Sequence, residues 1–185
     1  MRHRALRLGV LSDAFGMSAC ASADTTRECL PQMNHIQVIG SHNSYKLAIP
    51  PAELALIQMQ APQRAAALDY THIPIYDQLE LGMRQIELDV FHDPEGGLYA
   101  DPLAPKLTGT PFDATDMHRP GFKVLHVQDV DPRSSCKLFI QCLVDIRDWS
   151  AANQDHAPIL ILVNAKQAPI DLPGSVTPLA FDAAA

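Results

Sequence analysis

The chain alternates between segments with strand-like and helix-like spacing of hydrophobic residues. Residues 35–40, His-Ile-Gln-Val-Ile-Gly, predict a short strand that ends at a glycine. Residues 52–68 are rich in Ala, Leu and Gln and predict a helix. Pro62 should kink or split that helix because proline lacks the backbone N–H that a continuous helix needs. Residues 76–81 predict another short helical turn.

The same alternation continues through the rest of the chain. Residues 85–90 alternate strictly between polar and apolar side chains, as in a strand, whereas residues 101–120 are rich in Pro, Asp, Thr and Gly and predict a long loop. Residues 123–127 predict a third strand, and residues 138–149 predict a helix. Residues 158–163 form an apolar run, as in a strand buried in a parallel sheet. This order predicts βαβ units and therefore an α/β fold with parallel strands.

Length and charge narrow the class of protein. A chain of 185 residues is long enough for one domain with a sizeable core. Its net charge of −7 argues against a nucleic-acid partner, because nucleic acids select basic surfaces. The same charge argues against electrostatic docking on anionic membranes, although an apolar loop could still touch lipid. No apolar stretch is long enough to span a bilayer.

The N-terminus has the features of a secretion signal. Three arginines in the first seven residues precede a mostly apolar stretch at residues 8–19, and the small residues 21–23 fit a cleavage site. We therefore predict a signal peptide at residues 1–23 and a mature chain at residues 24–185, secreted or periplasmic. Cys20 lies in a loose lipoprotein box and is a candidate lipid anchor. The alternative is an N-terminus with no fixed structure.

Two of the four cysteines lie close together in the sequence. Cys136 and Cys142 are six residues apart, so they cannot share one face of a helix with 3.6 residues per turn. We therefore place Cys136 in the turn before the helix that carries Cys142. In an exported protein such a pair predicts a local disulfide, and two buried thiols are the alternative.

A carboxylate pair and two histidines are the candidate reactive groups. Glu87 and Asp89 are two residues apart on a predicted strand, so their side chains project to the same side. This pattern fits a site for a hard divalent cation, and it equally fits the solvated face of a half-exposed strand. His42 and His126 lie towards the ends of two other predicted strands. The carboxyl ends of parallel strands are where α/β proteins build their sites.

Three segments of the chain together resemble the phosphoinositide-specific phospholipases C. Residues 40–45, Gly-Ser-His-Asn-Ser-Tyr, resemble the first catalytic segment of that family. Residues 78–90, which contain Arg-Gln-Ile-Glu-Leu-Asp-Val, resemble the second, and residues 121–126, Gly-Phe-Lys-Val-Leu-His, resemble the third. The similarity is closer to the bacterial and fungal Ca²⁺-dependent branch, and it runs over about residues 35–166.

The resemblance implies a TIM-like (β/α) barrel of the phospholipase C-like phosphodiesterase type. Such barrels have eight strands and typically about 250 residues. Because the pattern predicts four strands here, we expect residues 24–185 to be the N-terminal half of the barrel, truncated after the fourth strand. The family's downstream substrate-binding positions therefore have no counterpart in this sequence.

The resemblance also assigns roles to individual residues. It implies His42 and His126 as the catalytic histidines. It implies Ca²⁺ as cofactor, and the expected ligands are Asn43, Glu87, Asp89 and Asn164. Asn164 stands where the family's pattern has a glutamate, and because an amide oxygen brings no charge, we expect weaker Ca²⁺ binding. Lys166 shares a strand face with Asn164 and is expected either to be solvated or to contact phosphate.

The implied reaction is cleavage of phosphatidylinositol-type lipids to diacylglycerol and a cyclic inositol phosphate. Glu87 would take the proton of the inositol 2-hydroxyl, His42 would donate to a phosphoryl oxygen, and His126 would protonate the leaving oxygen. The implied partner is a phosphoinositide lipid, with peripheral membrane contact. One alternative is a glycerophosphodiester phosphodiesterase, which uses a similar set of groups. The other is an inactive, truncated, exported Ca²⁺-binding protein.

Overall fold

The computed structural model describes residues 33–183. The chain divides into two units, Met1–Gln37 and Val38–Ala185. In the described part of the first unit, residues Met33–His35 form one turn of 3₁₀ helix. The predicted signal peptide and Cys20 lie outside the described residues.

An open, mixed sheet forms the centre of the second unit, and β2 is its central strand. The strands are β1 (Gly40–Ser41), β2 (Gln85–Phe91), β3 (Lys123–Val124) and β4 (Leu160–Ala165). β4 runs parallel to β2 along its length, with Asp89 opposite Asn164. β1 pairs in parallel with the start of the other edge of β2, and β3 pairs antiparallel with its end. The described strands therefore form an open sheet and not a closed barrel.

Five α-helices accompany the sheet in the described residues. They are α1 (Pro51–Gln60), α2 (Pro62–Leu68), α3 (Ile75–Glu80), α4 (Leu103–Thr108) and α5 (Phe139–Ala152). The predicted helices over 52–68, 76–81 and 138–149 are confirmed as α1 with α2, α3 and α5, and Pro62 splits the first as expected. No helix within residues 33–183 is long and apolar enough to cross a membrane.

The prediction of a loop over residues 101–120 was wrong in part, because this segment contains α4 and a 3₁₀ turn at Thr115–His118. Pro102 lies at the N-cap of α4 and Pro105 in its first turn, where backbone N–H groups have no partner inside the helix. Gly109 then ends α4 in the left-handed conformation, with φ 69°. The prolines that indicated a loop therefore initiate a helix.

Two of the predicted strands are shorter than the pattern indicated. The strand predicted at 35–40 is paired only from Gly40, where the chain approaches β2 so closely that a Cβ would overlap Gln85. The strand predicted at 123–127 ends at Val124 and is antiparallel. Its end is fixed by a tight turn in which Asp131 N–H donates to the Val127 carbonyl over 2.9 Å. The expectation that all strands are parallel was therefore wrong for β3.

One face of β2 carries the main core. Ile86, Leu88 and Val90 are buried together with side chains of α3 and α5, among them Leu79 and Trp149. This arrangement agrees with the strict alternation predicted for residues 85–90. Glu87 and Asp89 lie on the opposite face of β2, because successive side chains of a strand alternate between its two faces.

The predicted disulfide is present and links Cys136 to Cys142. Cys136 lies before α5 and Cys142 within it, as the spacing indicated, and both are buried. The bond closes a short loop and fixes the approach of the chain to α5. It excludes the alternative of two free thiols.

The fourth strand lies where the apolar pattern predicted it, but it is not buried. All six residues of β4 are exposed, including Leu160, Ile161, Leu162 and Val163. Within residues 33–183, β4 pairs only with β2, so its other edge carries no strand. The expectation of a buried strand was wrong because no described layer covers β4 on either face.

Candidate active site

The segment that follows β1 is held against β2 by Ser44. The Ser44 N–H donates to the Glu87 carbonyl over 3.1 Å, and the Ser44 hydroxyl accepts from the Glu87 N–H at 2.9 Å. Asn43 adopts a left-handed conformation, with φ 50°, which asparagine tolerates better than most residues. Through this turn the chain exposes His42 and buries Asn43 next to it.

The first predicted histidine lies beside the first predicted carboxylate. His42 Nε2 is 3.9 Å from Glu87 Oε2, and the His42 side chain is 72% exposed. The Asn43 N–H donates to the same Glu87 oxygen over 3.4 Å. The structure therefore brings together His42, Asn43 and Glu87, with the histidine ring exposed to solvent.

The second predicted carboxylate, Asp89, is buried and has partners on both oxygens. Asn164 Nδ2 donates to Asp89 Oδ1 over 2.8 Å, which follows from their opposite positions on β2 and β4. Lys166 Nζ is 3.2 Å from Asp89 Oδ2. Lys166, which was expected to be solvated or to contact phosphate, instead forms an ion pair with a predicted metal ligand.

The Tyr45 hydroxyl lies close to both Asn43 and Asp89. Burial, followed by the charge of Asp89, raises the pKa of the Tyr45 hydroxyl far above its ordinary value, so the hydroxyl stays protonated. The same hydroxyl is 3.5 Å from Asn43 Oδ1. The side-chain oxygen of Asn43 therefore lies at a hydroxyl whose pKa is also raised by the charge of Asp89.

The second predicted histidine has a carboxylate partner that the sequence pattern did not indicate. His126 Nδ1 is 2.9 Å from Asp131 Oδ2, and the His126 side chain is 15% exposed. Lys46 Nζ is 3.3 Å from the same Asp131 oxygen, and both side chains of this ion pair are fully buried. The other oxygen, Asp131 Oδ1, has no hydrogen-bond partner among the described residues.

Tyr70 links the two histidine segments. Asn43 Nδ2 donates to the Tyr70 hydroxyl over 2.7 Å. Lys46 Nζ donates to the Tyr70 carbonyl over 2.8 Å and lies 4.5 Å from the centre of the Tyr70 ring. One connected set of side chains therefore runs from His126 through Asp131, Lys46 and Tyr70 to Asn43.

Sequence reasoning missed Asp131, Lys46 and Tyr70, and also His72, whose Nε2 is 2.8 Å from the His42 carbonyl. Lys46 directly follows the segment 40–45, and Asp131 ends the tight turn after His126, so local signals existed for these two residues. No local signal exists for Tyr70, because 27 residues separate it from Asn43.

Comparison with known families decides the identity of the chain. A family model described as Ca²⁺-dependent phosphoinositide phospholipase C matches residues 31–185. The chain belongs to this family. No curated protein and no solved structure matches the chain. The family match covers both predicted histidines and all four predicted Ca²⁺ ligands.

The residues of this phospholipase C-like domain fit a hard cation by the chemistry of their donor atoms. Asn43, Glu87, Asp89 and Asn164 all carry side-chain oxygens, the ligands that Ca²⁺ prefers. The Lys166 ammonium already pairs with Asp89, so a cation bound there would have to share or displace this partner. Among residues 33–183, no three His, Cys, Asp or Glu side chains are grouped to hold a metal. A Ca²⁺ ion would therefore depend on the two amide oxygens as well as on the two carboxylates.

Proposed function

We propose that this protein is a Ca²⁺-dependent phosphodiesterase that cleaves phosphatidylinositol-type lipids to diacylglycerol and a cyclic inositol phosphate. The observation that carries the proposal is the 3.9 Å distance between Nε2 of His42, which follows β1, and Oε2 of Glu87, which lies on β2. The Asn43 N–H donates to the same Glu87 oxygen. In a chain of the Ca²⁺-dependent phospholipase C family, this arrangement supports acid–base chemistry on an inositol phosphodiester.

Each side chain has a role that its surroundings support. Glu87 accepts the proton of the inositol 2-hydroxyl as that oxygen attacks phosphorus, and exposed His42 donates to a phosphoryl oxygen. His126 faces Asp131 through Nδ1, so Nε2 is the nitrogen left to protonate the diacylglycerol oxygen as its bond to phosphorus breaks. When bound, Ca²⁺ supplies charge that lowers the pKa of the 2-hydroxyl and offsets negative charge at phosphorus.

The proposed Ca²⁺ ligands are Asn43, Glu87, Asp89 and Asn164. The first three carry over from the family's pattern, and Asn164 takes the place of a glutamate. Because this set has only two carboxylates and Asp89 already pairs with Lys166, we propose that the domain binds Ca²⁺ more weakly than a set with three carboxylates would.

A comparison of two substrates tests the proposed reaction. We expect the chain to release cyclic inositol phosphate from phosphatidylinositol and to cleave glycerophosphoinositol much more slowly, as phosphorus NMR of the products would show. Glu87→Gln should reduce this turnover by about 10²-fold or more, since it removes the proton acceptor. The matched control is Glu95→Gln, because Glu95 lies exposed in the loop after β2.

Two other results would support the alternatives. Faster cleavage of glycerophosphoinositol would support a glycerophosphodiester phosphodiesterase. Binding of Ca²⁺ with no cleavage of either substrate would support a non-catalytic Ca²⁺-binding protein. Equal turnover by Glu87→Gln and the wild type would contradict the role of Glu87.

We propose further that residues 24–185 are the N-terminal half of a TIM-like barrel of the bacterial and fungal branch. The support is the open sheet, in which the apolar strand β4 is exposed and has one edge that pairs with no other strand of residues 33–183. A buried parallel strand normally has both faces covered, and an exposed apolar edge favours association. The missing strands would pair with β4 and cover it.

This proposal predicts that the 185-residue chain made alone is marginally stable or self-associating, with low turnover. Leu162→Lys, which places a charge on β4, should shift the chain towards monomer in size-exclusion chromatography. Leu107→Lys is the matched control, because Leu107 is an exposed leucine on α4. A monodisperse wild-type monomer with a sharp thermal melt and robust turnover would contradict the half-barrel proposal.

The proposed location is outside the cytoplasm, secreted or periplasmic, with residues 1–23 as signal peptide or Cys20 as a lipid anchor. The Cys136–Cys142 bond supports export, because structural disulfides persist mainly in oxidising compartments. The proposed partner is the phosphoinositide substrate in a lipid surface, which the domain would contact peripherally.

A further inference from the structure

Tyr70 lies in the connection between α2 and α3, and its hydroxyl contacts one end of the Asn43 side chain. Asn43 Nδ2 donates to this hydroxyl over 2.7 Å. A carboxamide has a nitrogen end that only donates and an oxygen end that only accepts. Because the Tyr70 hydroxyl accepts from the nitrogen of the Asn43 amide, the amide oxygen points away from Tyr70.

The opposite end of Asn43 lies at the Tyr45 hydroxyl. Asn43 Oδ1 accepts a hydrogen bond from the Tyr45 hydroxyl over 3.5 Å, and the charge of Asp89 acts on that same hydroxyl. The backbone N–H of Asn43 meets Glu87 Oε2 at 3.4 Å. The side-chain oxygen of Asn43 thus lies at the Tyr45 hydroxyl, on the side away from Tyr70, and the Asn43 backbone contacts one of the two carboxylates that are proposed to hold the cation.

Tyr70 is itself fixed by its neighbours. Its carbonyl accepts a hydrogen bond from buried Lys46, whose ammonium also lies over the Tyr70 ring. Its ring meets the His72 ring edge-on, with 5.6 Å between the centroids, and His72 contacts the His42 carbonyl. Contacts with Lys46 and His72 therefore fix the position of Tyr70 next to Asn43.

We infer that Tyr70 is a positioning residue for the cation site, because it holds the Asn43 amide with its oxygen towards Glu87 and Asp89. The inference rests on the proposed function, in which Asn43 ligates Ca²⁺. Without the Tyr70 hydroxyl, the amide loses its 2.7 Å hydrogen bond and keeps only the longer, 3.5 Å contact with the Tyr45 hydroxyl. The amide can then rotate more easily and present its nitrogen, which cannot bind a cation. Tyr70 does not touch the substrate in this scheme and acts only through Asn43.

Calorimetric titration of the full chain with Ca²⁺ alone tests this inference. Tyr70→Phe should raise the Kd for Ca²⁺ roughly fivefold, the equivalent of one neutral hydrogen bond. Turnover at saturating Ca²⁺ should stay within about twofold of wild type, since the substitution lowers the affinity for Ca²⁺ and leaves the Ca²⁺-bound site unchanged. The control is Tyr76→Phe, because Tyr76 is exposed on α3, and it should leave the Kd unchanged.

A second background separates positioning from general support of the fold. In Asn43→Asp both ends of the side chain are oxygens, so the further change Tyr70→Phe should no longer weaken Ca²⁺ binding. In the wild type, NMR should show the Asn43 Nδ2 protons exchanging slowly with solvent both before and after Ca²⁺ is added. This signal is available even where Tyr70→Phe does not fold.

The outcomes distinguish this inference from the proposed function. A wild type that binds Ca²⁺, with an equal Kd in Tyr70→Phe, overturns only the role of Tyr70. The same weakening in the Asn43→Asp background also overturns it, because the effect would then not depend on the amide. Rapid exchange of the Asn43 amide protons overturns it as well. A wild type that binds no Ca²⁺ overturns both the inference and the proposed metal site.

Discussion

Replacing His126 with alanine should lower phosphatidylinositol turnover by about 10²–10⁴-fold, the range typical of a lost general acid. The reason is that His126 is the proposed proton donor to the diacylglycerol oxygen, and Asp131 contacts its Nδ1, which leaves Nε2 as the nitrogen that would donate. The matched control is His118→Ala. His118 is exposed at the end of the 3₁₀ turn Thr115–His118, and its loss should change turnover by less than about twofold.

A substrate with a better leaving group isolates the role of His126 as an acid. An inositol phosphodiester that releases a nitrophenol needs little protonation of the leaving oxygen, so His126→Ala should cleave it at nearly the wild-type rate. Initial rates with the lipid and with this substrate give the comparison. Equal losses in His126→Ala and His118→Ala, or a loss that does not depend on the leaving group, would refute the assigned role.

The buried ion pair between Lys46 and Asp131 should dominate the stability of the site. Lys46→Met should lower the free energy of unfolding by about 3–5 kcal/mol, because it removes the buried ammonium and leaves His126 as the only ion-pair partner of the Asp131 carboxylate among the described residues. The double variant Lys46→Met with Asp131→Leu should recover part of this loss, since it removes both charges. Denaturation in urea gives all three free energies.

An exposed ion pair provides the control for this prediction. Lys106 and Asp101 pair at the surface, where Lys106→Met should change the free energy of unfolding by less than about 1 kcal/mol. If Lys46→Met is no more destabilising than Lys106→Met, the buried pair does not support the site as described. The His126 segment would then have to be held by other contacts.

The sequence predicted the parts of the fold that depend on local pattern. Alternation at residues 85–90 gave a face with Ile86 and Leu88 in the core and a face with Glu87 and Asp89 at the site, as observed. Pro62 marked the break between α1 and α2 because the steric effect of proline acts within its own helix turn. The position of Cys136 before α5 also followed from spacing alone.

The predictions that were wrong or missing concern features that depend on contacts between residues far apart in the sequence. The apolar sequence of β4 is the same whether or not a second layer of structure covers the strand, so its exposure to solvent could not be predicted from the sequence. The end of β3 depends on a turn in which the Asp129 side chain accepts hydrogen bonds from the N–H groups of Leu103 and Val176, both far away in sequence. Tyr70 was missed for the same reason. Its role arises only when the chain brings it to Asn43.

The most direct test of a Ca²⁺-dependent phosphodiesterase is the rate of phosphatidylinositol cleavage by the purified chain, measured in excess chelator and again after Ca²⁺ is restored. The proposed oxygen ligands Asn43, Glu87, Asp89 and Asn164 predict that chelation abolishes cleavage and that added Ca²⁺ restores it. Cleavage that proceeds at an unchanged rate in excess chelator would contradict the proposed role of Ca²⁺ and with it the central claim.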